Sequence, residues 1–346
     1  MSVSSQYANL GKSGLKTSKV IVGCMSFGDK RWFDWVIEDE EKAFAVLKKC
    51  YDSGIRTFDT ANAYSNGGSE ILLGKFLKKY DIKRDRVVIM SKVFFPIDED
   101  IPNFNVITHG NYPEGDYINT KGLSRKHILD SARASVERLG TYMDVFQIHR
   151  FDISTPIEET MEALHDTVKL GYTRYIGAST MKAYQFVMMQ EVANRNRWTK
   201  FICMQNYYNL INREEEREMI AYCKETGVGL IPWSPNARGF LTRPLDVKST
   251  DSTRQATDGT LQRVVLDTLT EGDKEINKRV EKIAKDKGVN MASVATAWVL
   301  SKGCYPIVGF SRPERVDDAI AAMNLELTEE DIKYMEEPYI SKEPVK

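Results

Sequence analysis

Four residue types that exchange or steer protons stand at the ends of short strand-like runs in this sequence. The run TFD ends on Asp59, and Tyr64 follows within the polar turn TANAYSNGG. VVIMSK ends on Lys92, and DVFQIH ends on His149. A free phenol has a pKa of about 10, too high to exchange protons readily near neutrality. A neighbouring ammonium favours the phenolate and draws that pKa down, and a carboxylate paired with the ammonium keeps it charged and oriented. An imidazole can hydrogen-bond a substrate oxygen or share the phenol's proton. Together these groups would form a general acid/base suited to carbonyl and alcohol chemistry. Singly, each has a plainer reading: a turn-capping aspartate, a solvated lysine, a rim tyrosine, a hydrogen-bonded core histidine. Their common position at strand ends is what joins them.

The elements that would position them alternate along the chain. Strand-like runs fall at Lys19–Gly23, Ile55–Asp59, Arg86–Lys92, Met143–Gln147, Tyr172–Ala178, Phe201–Gln205, Val228–Pro232 and Tyr305–Val308, with helical spacing between them. Thr155-Pro156 puts a proline at a first helical position, Thr328 reads as an N-cap, and Gly54, Gly140, Gly171 and Gly227 sit just past helix ends. Eight strand–helix pairs without a Gly/Ser-rich linker predict one α/β domain over 1–346, a (β/α)8 TIM barrel. An open doubly wound sheet is the competitor, but no G-x-G-x-x-G follows the first strand. In a barrel, Asp59, Lys92 and His149 lie on three successive strands about 4.8 Å apart, at the catalytic C-terminal face.

Two connections exceed ordinary βα loops, 93–124 and 236–274, and both leave that face. The first carries Phe94, Phe95, Phe104, Tyr112 and Tyr117. Both are expected to shape an apolar, aromatic pocket mouth, with Phe27, Trp32, Trp35, Phe94, Phe95 and Tyr208 as wall candidates. Trp298, in MASVATAWVL, reads as core.

Bulk composition removes several classes. A hydrophobic share of 42 % with 28 % charged residues fits a globular protein with a sizeable core. The formal net charge of −1 offers no global field for nucleic acid or an anionic membrane. Five scattered cysteines without a C-x-x-C pair argue against a metal knuckle or a disulfide framework, so no metal is expected. No signal-peptide h-region and no membrane-length apolar run are present, which makes a cytoplasmic location the expectation.

Asp59-x4-Tyr64, Lys92 in IMSK and His149 in FQIHR resemble the catalytic tetrad of the aldo-keto reductases. The resemblance runs through LGKSGLKTSKVIVGCMSFG, similar to that family's N-terminal hairpin and first strand, then GYTRYIGAST, MQNYYNL, GLIPWSPNARGFL and PIVGFSRPERVDDAI. Within the family the chain looks most like the fungal aryl-alcohol dehydrogenase and potassium-channel β-subunit-like branches. The resemblance implies NADPH-dependent reduction of aromatic or aliphatic aldehydes and ketones, with Tyr64 as general acid. It implies that Ser179 and Gln205 hold the nicotinamide carboxamide, that Trp233 stacks on the ring, and that Ser234, Pro235, Asn236 and Arg238 run beside the pyrophosphate. In GFSRPER, Gly309, Ser311, Arg312 and Arg315 would form the 2′-phosphate clamp, at a helix start whose N–H groups suit a phosphate, with Asp318 near the adenine. Thr180 and Ala319 stand where many members carry Asn. The same resemblance admits a second role, an NADPH-binding regulatory or partner-binding subunit with weak turnover, and is compatible with a homo-oligomer. A phosphate-binding barrel lyase or isomerase ranks last, because it needs neither Trp233 nor the arginine pair.

Overall fold

Side chains of a β-strand point alternately to opposite faces, and here that period separates two cores. The structure, a computed structural model, describes residues 6–101, 104, 114–246, 261–262 and 265–343. A hairpin of β1 (Tyr7–Asn9) and β2 (Lys16–Ser18) precedes eight parallel strands: β3 (Ile21–Gly23), β4 (Thr57–Asp59), β5 (Val88–Val93), β6 (Met143–Ile148), β7 (Thr173–Ser179), β8 (Phe201–Gln205), β9 (Gly229–Leu230) and β10 (Ile307–Gly309). Their spatial order is β10-β3-β4-β5-β6-β7-β8-β9. The ring closes where Tyr305 N–H donates to the Leu230 carbonyl and Ile307 N–H to the Pro232 carbonyl. This is the (β/α)8 barrel that the sequence pattern predicts, with an antiparallel hairpin at its start.

Outward strand residues such as Phe58, Ile89, Phe146 and Ile176 pack in one large core beneath the helices. Those helices are α1 (Glu40–Asp52), α2 (Gly68–Lys79), α3 (Arg125–Leu139), α4 (Ile157–Lys169), α5 (Ala183–Asn196), α6 (Met219–Thr226), α7 (Glu271–Lys287), α8 (Met291–Ser301), α9 (Glu314–Asn324) and α10 (Glu329–Glu336). Trp298 is fully buried in that core, as expected of it. Inward residues form a second cluster of Ile21, Met90, Val145, Cys203, Ile231 and Ile307, which Leu10 of the hairpin joins. The hairpin therefore plugs one end of the barrel. Gly11, at φ +59°, makes this closure feasible, since a Cβ there would lie 2.2 Å from the Gly227 carbonyl oxygen.

Helix punctuation follows local chemistry. Gly54, Gly140, Gly171 and Gly227 all take positive φ. Thr328 accepts from Asp331 N–H in a capping box. Pro156 is the N-cap of α4, one residue before the first helical position at which the sequence pattern places it. Of the two long connections, 102–103, 105–113, 247–260 and 263–264 lie outside the described residues, and the expectation for Tyr112 falls there. The described part of the first contains one helical turn at Glu114–Tyr117. Among the described residues no helix is long and apolar enough to cross a membrane. All five cysteines are reduced and buried.

Candidate active site

Above the apolar inner layer, the same alternation turns polar. Two residues above Met90, Val145 and Cys203 of the inner layer stand Lys92, Gln147 and Gln205, and Asp59 and Ser179 end the neighbouring strands β4 and β7. They interlock. The Lys92 ammonium lies 2.5 Å from Asp59 Oδ2, donates to the Thr60 carbonyl at 2.8 Å and reaches the Tyr64 hydroxyl at 3.3 Å. Asp59 Oδ1 accepts from Gln147 Nε2 at 2.9 Å and from Gln205 Nε2 at 3.0 Å. Lys92 is 0 % exposed and Asp59 2 %, so this ion pair is fully withdrawn from water. Gln147 fits because its neighbour on β7 is Gly177, where a Cβ would approach Gln147 Cγ to 3.0 Å.

Tyr64 is aimed by its turn. Ser65 and Asn66 take left-handed φ of 50° and 49°, a strained pair for non-glycine residues. Asn66 Nδ2 offsets this by donating to the Phe104 carbonyl at 2.7 Å, which ties the turn to the first long loop. His149 follows β6, its ring 5.9 Å from that of Tyr64 and edge-on to it. Its Nδ1 is buried without a hydrogen-bond partner among the described residues.

These groups open on a cavity of about 950 Å³. Segments after β3 to β6 supply an aromatic set including Trp32, Trp35, Tyr64, Phe95 and Phe104. Segments after β7 to β10 supply Trp233 and a basic set of Arg238, Arg243, Arg312 and Arg315. The Trp233 indole stacks on Tyr207 with ring centroids 4.4 Å apart, and its N–H donates to Thr180 Oγ1 at 3.2 Å.

The aldo/keto reductase family profile matches residues 19–340. This chain belongs to the aldo/keto reductase family. Among its relatives, the versiconal hemiacetal acetate reductase of Aspergillus parasiticus is 54 % identical over 97 % of this chain and 98 % of its own length. A Saccharomyces cerevisiae protein named "putative aryl-alcohol dehydrogenase" is 54 % identical over 95 % of this chain and 96 % of its own. An Alternaria alternata aldo-keto reductase is 46 % identical over 98 % of this chain and 92 % of its own.

In this aldo-keto reductase the residues expected around a cofactor share one surface. Ser179, Gln205, Trp233, Ser234, Pro235, Asn236, Arg238, Gly309, Ser311, Arg312, Arg315 and Asp318 all line the cavity, and so does Ala319. The loop from Ser234 carries left-handed φ at Ser234, Ala237, Arg238 and Gly239, strain of a kind that clusters at ligand sites. Trp32, Trp35 and Phe95 also line the cavity.

Three wall candidates turn toward the core instead. Phe27 is fully buried beneath the helices, while its neighbours Met25 and Ser26 face the cavity. Phe94 packs toward the same core, edge-on to Phe95, which takes the cavity side. Tyr208 is buried beside Trp298 and donates to Glu216 Oε1 at 2.6 Å, and the adjacent Tyr207 is the ring beneath Trp233. Adjacent residues leave the backbone on opposite sides, so one step of register moves a ring from wall to core. Gln147, Arg150 and Met25 are site residues that sequence reasoning missed. The period of two along DVFQIH carried a usable signal for Gln147.

Burial reverses one electrostatic expectation. Lys92 does pull the Tyr64 phenol down, but burial and the Asp59 charge push harder, and the net shift is upward. Burial alone would lower Lys92, yet Asp59 and the Tyr64 oxygen together hold it above its usual value. Burial, with Arg150 and Lys92 adding repulsion, drives His149 well below the ordinary imidazole range. At neutral pH the trio is a neutral phenol, an ammonium and a neutral imidazole.

Proposed function

We propose that this chain reduces aldehydes and ketones to alcohols with NADPH, Tyr64 giving the proton to the carbonyl oxygen. The observation that carries this reading is Lys92, fully buried, bridging Asp59 and the hydroxyl of a neutral Tyr64 that lines the same cavity as Trp233.

The cofactor fit is supported by donor and acceptor bookkeeping. Asp59 only accepts, which commits the Gln205 amide nitrogen to it. Both side-chain hydrogen bonds of Gln205 among the described residues are made by its nitrogen, which leaves Oε1 available in a side chain that lines the cavity. It suits the N–H of a carboxamide. Tyr207 covers one face of the Trp233 ring, and a flat nicotinamide suits the other. Arg238, Arg312 and Arg315 suit phosphates, the last two at the start of α9, where backbone N–H groups add their partial charge. When bound, the reduced nicotinamide would supply the hydride to the carbonyl carbon.

The protein's share is proton delivery and charge. As negative charge builds on the carbonyl oxygen, Tyr64 transfers its proton there, giving the alcohol and leaving a phenolate. The Lys92 ammonium, 3.3 Å away, stabilises that phenolate, and Asp59 holds the ammonium in place. An unpaired buried lone pair on Nδ1 costs less than an unpaired N–H, so the neutral His149 carries its proton on Nε2 and donates it to the substrate oxygen. The aromatic walls, and a relative named as an aryl-alcohol dehydrogenase, support an aryl carbonyl as the first probe. A positioned acid typically contributes about 10²–10⁴-fold. Tyr64→Phe should lose at least about 100-fold in kcat for benzaldehyde while still binding NADPH, followed by quenching of tryptophan fluorescence. Turnover close to wild type in that variant refutes the assignment.

A further inference from the structure

A guanidinium group lines the aromatic end of the cavity without an acidic partner. Arg150 follows His149 directly, and both line the cavity with Tyr64 and Phe95. Its only hydrogen bond among the described residues is short-range, Nη1 to the His149 carbonyl at 2.7 Å. Its guanidinium carbon stands 5.9 Å from the centre of the Phe95 ring, at the outer limit of a cation–π contact. No carboxylate of the described residues pairs with it. The Lys92 ammonium, by contrast, is balanced by Asp59. Burial disfavours the charged form of Arg150, and an arginine cannot escape that cost by deprotonating. A chain that holds such a cation at the aromatic end of the cavity, with no carboxylate among the described residues to balance it, gains if the ligand brings the opposite charge.

The distances put that charge beside the reacting carbonyl. The rings of Arg150's neighbours form a chain, Phe95 to His149 at 5.2 Å and His149 to Tyr64 at 5.9 Å. Arg150 lines the same cavity and is close enough to Tyr64 for their charges to act on each other, so a carbonyl compound whose oxygen is held between Tyr64 and His149 has Arg150 within the same end of the pocket. We propose that Arg150 selects planar carbonyl substrates that carry a carboxylate close to the carbonyl being reduced, gripping it through the guanidinium edge. This rests on the reductase reading above and adds the substrate class. Tuning of Tyr64 does not explain the residue, because Lys92 already exerts the dominant pull on the phenol.

The test compares the isomeric formylbenzoates with their methyl esters in the NADPH-loaded protein. For the best-placed isomer, kcat/KM should favour the acid, and Arg150→Met should reduce the acid-to-ester ratio about 10- to 100-fold, the range of a charge-assisted hydrogen bond. Effects on both substrates alike cancel in that ratio. Arg150→Lys should keep part of the preference, because it keeps the charge but loses the planar fork. A wild-type protein indifferent to the carboxylate, or a ratio unmoved in Arg150→Met, overturns the proposal and assigns Arg150 to holding the His149 carbonyl. Benzoate and benzamide binding to the NADP+-loaded protein give a second readout without turnover. Benzoate should bind tighter, and lose that advantage in Arg150→Met; equal binding of the two overturns the proposal. Benzaldehyde turnover reports separately on the reductase reading, so failure of that reading is distinguishable from failure of this one.

Discussion

The double-mutant cycle at Asp59 and Lys92 gives the site its most searching test. The ammonium and the carboxylate are both essentially unexposed and 2.5 Å apart, so neither has water to fall back on when the other is removed. Lys92→Met leaves a buried carboxylate held only by the Gln147 and Gln205 amides. Asp59→Asn leaves a buried ammonium with one carbonyl and one phenol oxygen. Breaking a buried pair from either side typically costs about 3–5 kcal/mol. That agrees with about 4 kcal/mol for unit charges 4 Å apart at an effective dielectric constant near 20. The double variant, Asp59→Asn with Lys92→Met, removes both charges in nearly unchanged volume. It should therefore cost less than the sum of the singles by about 2–4 kcal/mol. Urea unfolding followed by tryptophan fluorescence measures all four corners. Turnover must not return with stability, because the double variant still lacks the cation that supports the Tyr64 phenolate. Additive singles, with a coupling below about 0.5 kcal/mol, would show that the two groups do not meet and would remove the support on which Tyr64 depends.

Three further outcomes follow from other parts of the site. Arg312→Ala combined with Arg315→Ala should raise KM for NADPH about 10-fold or more, with a weaker effect at high salt, and leave KM for NADH nearly unchanged; equal effects on the two cofactors would place the 2′-phosphate elsewhere. Because His149 has its pKa depressed in the fold, the unfolded chain binds the extra proton first, so stability falls as pH drops below about 6.5 and is retained above it, and the kcat profile for reduction shows no step near that value. A kinetic step at pH 6–7 that disappears in His149→Gln would show instead that the imidazole titrates in the working enzyme. Gly177→Ala places a methyl 2.6 Å from Cys203 Sγ and 3.0 Å from Gln147 Cγ, and should destabilise by about 1–3 kcal/mol, with partial recovery on adding Cys203→Ala; a neutral effect on urea unfolding would mean that the inner layer has slack.

The sequence makes the barrel and the gathering of Asp59, Lys92 and His149 at its mouth legible for one shared reason. A mostly apolar strand that ends on a titratable residue breaks its own pattern, and TFD, VVIMSK and DVFQIH each do so at the C-terminal end. Gln147 was less visible because an uncharged polar residue within a strand reads as solvent-facing, and only the closed ring of eight strands makes its side the inside. Loops have no period, so nothing in CMSFG or VFFP indicates which of two adjacent side chains faces a cavity. That is why Met25 and Phe95, rather than Phe27 and Phe94, line it. The net direction of the Tyr64 shift was illegible for a different reason: Lys92 is read from residue type, whereas the opposing burial exists only in three dimensions.

The two sources of information divide the molecule in a way that bears on function. In the proposed reaction the groups that handle charge sit on or beside strand ends, supported from below by the apolar layer of Met90, Val145 and Cys203 and held laterally by the Asp59–Gln147–Gln205 hydrogen bonds. A displacement of any of them would expose an unpaired buried charge, so their geometry is fixed by the same energies that fold the barrel. Arg150, Phe95, Trp32 and Trp35 lie just beyond the strands, where side chains can change without breaking the polar layer. Substrate choice is therefore separable from proton transfer here. Replacing Arg150 should redirect which carbonyl compounds are accepted, whereas replacing Gln147, which touches no substrate, should weaken turnover of them all.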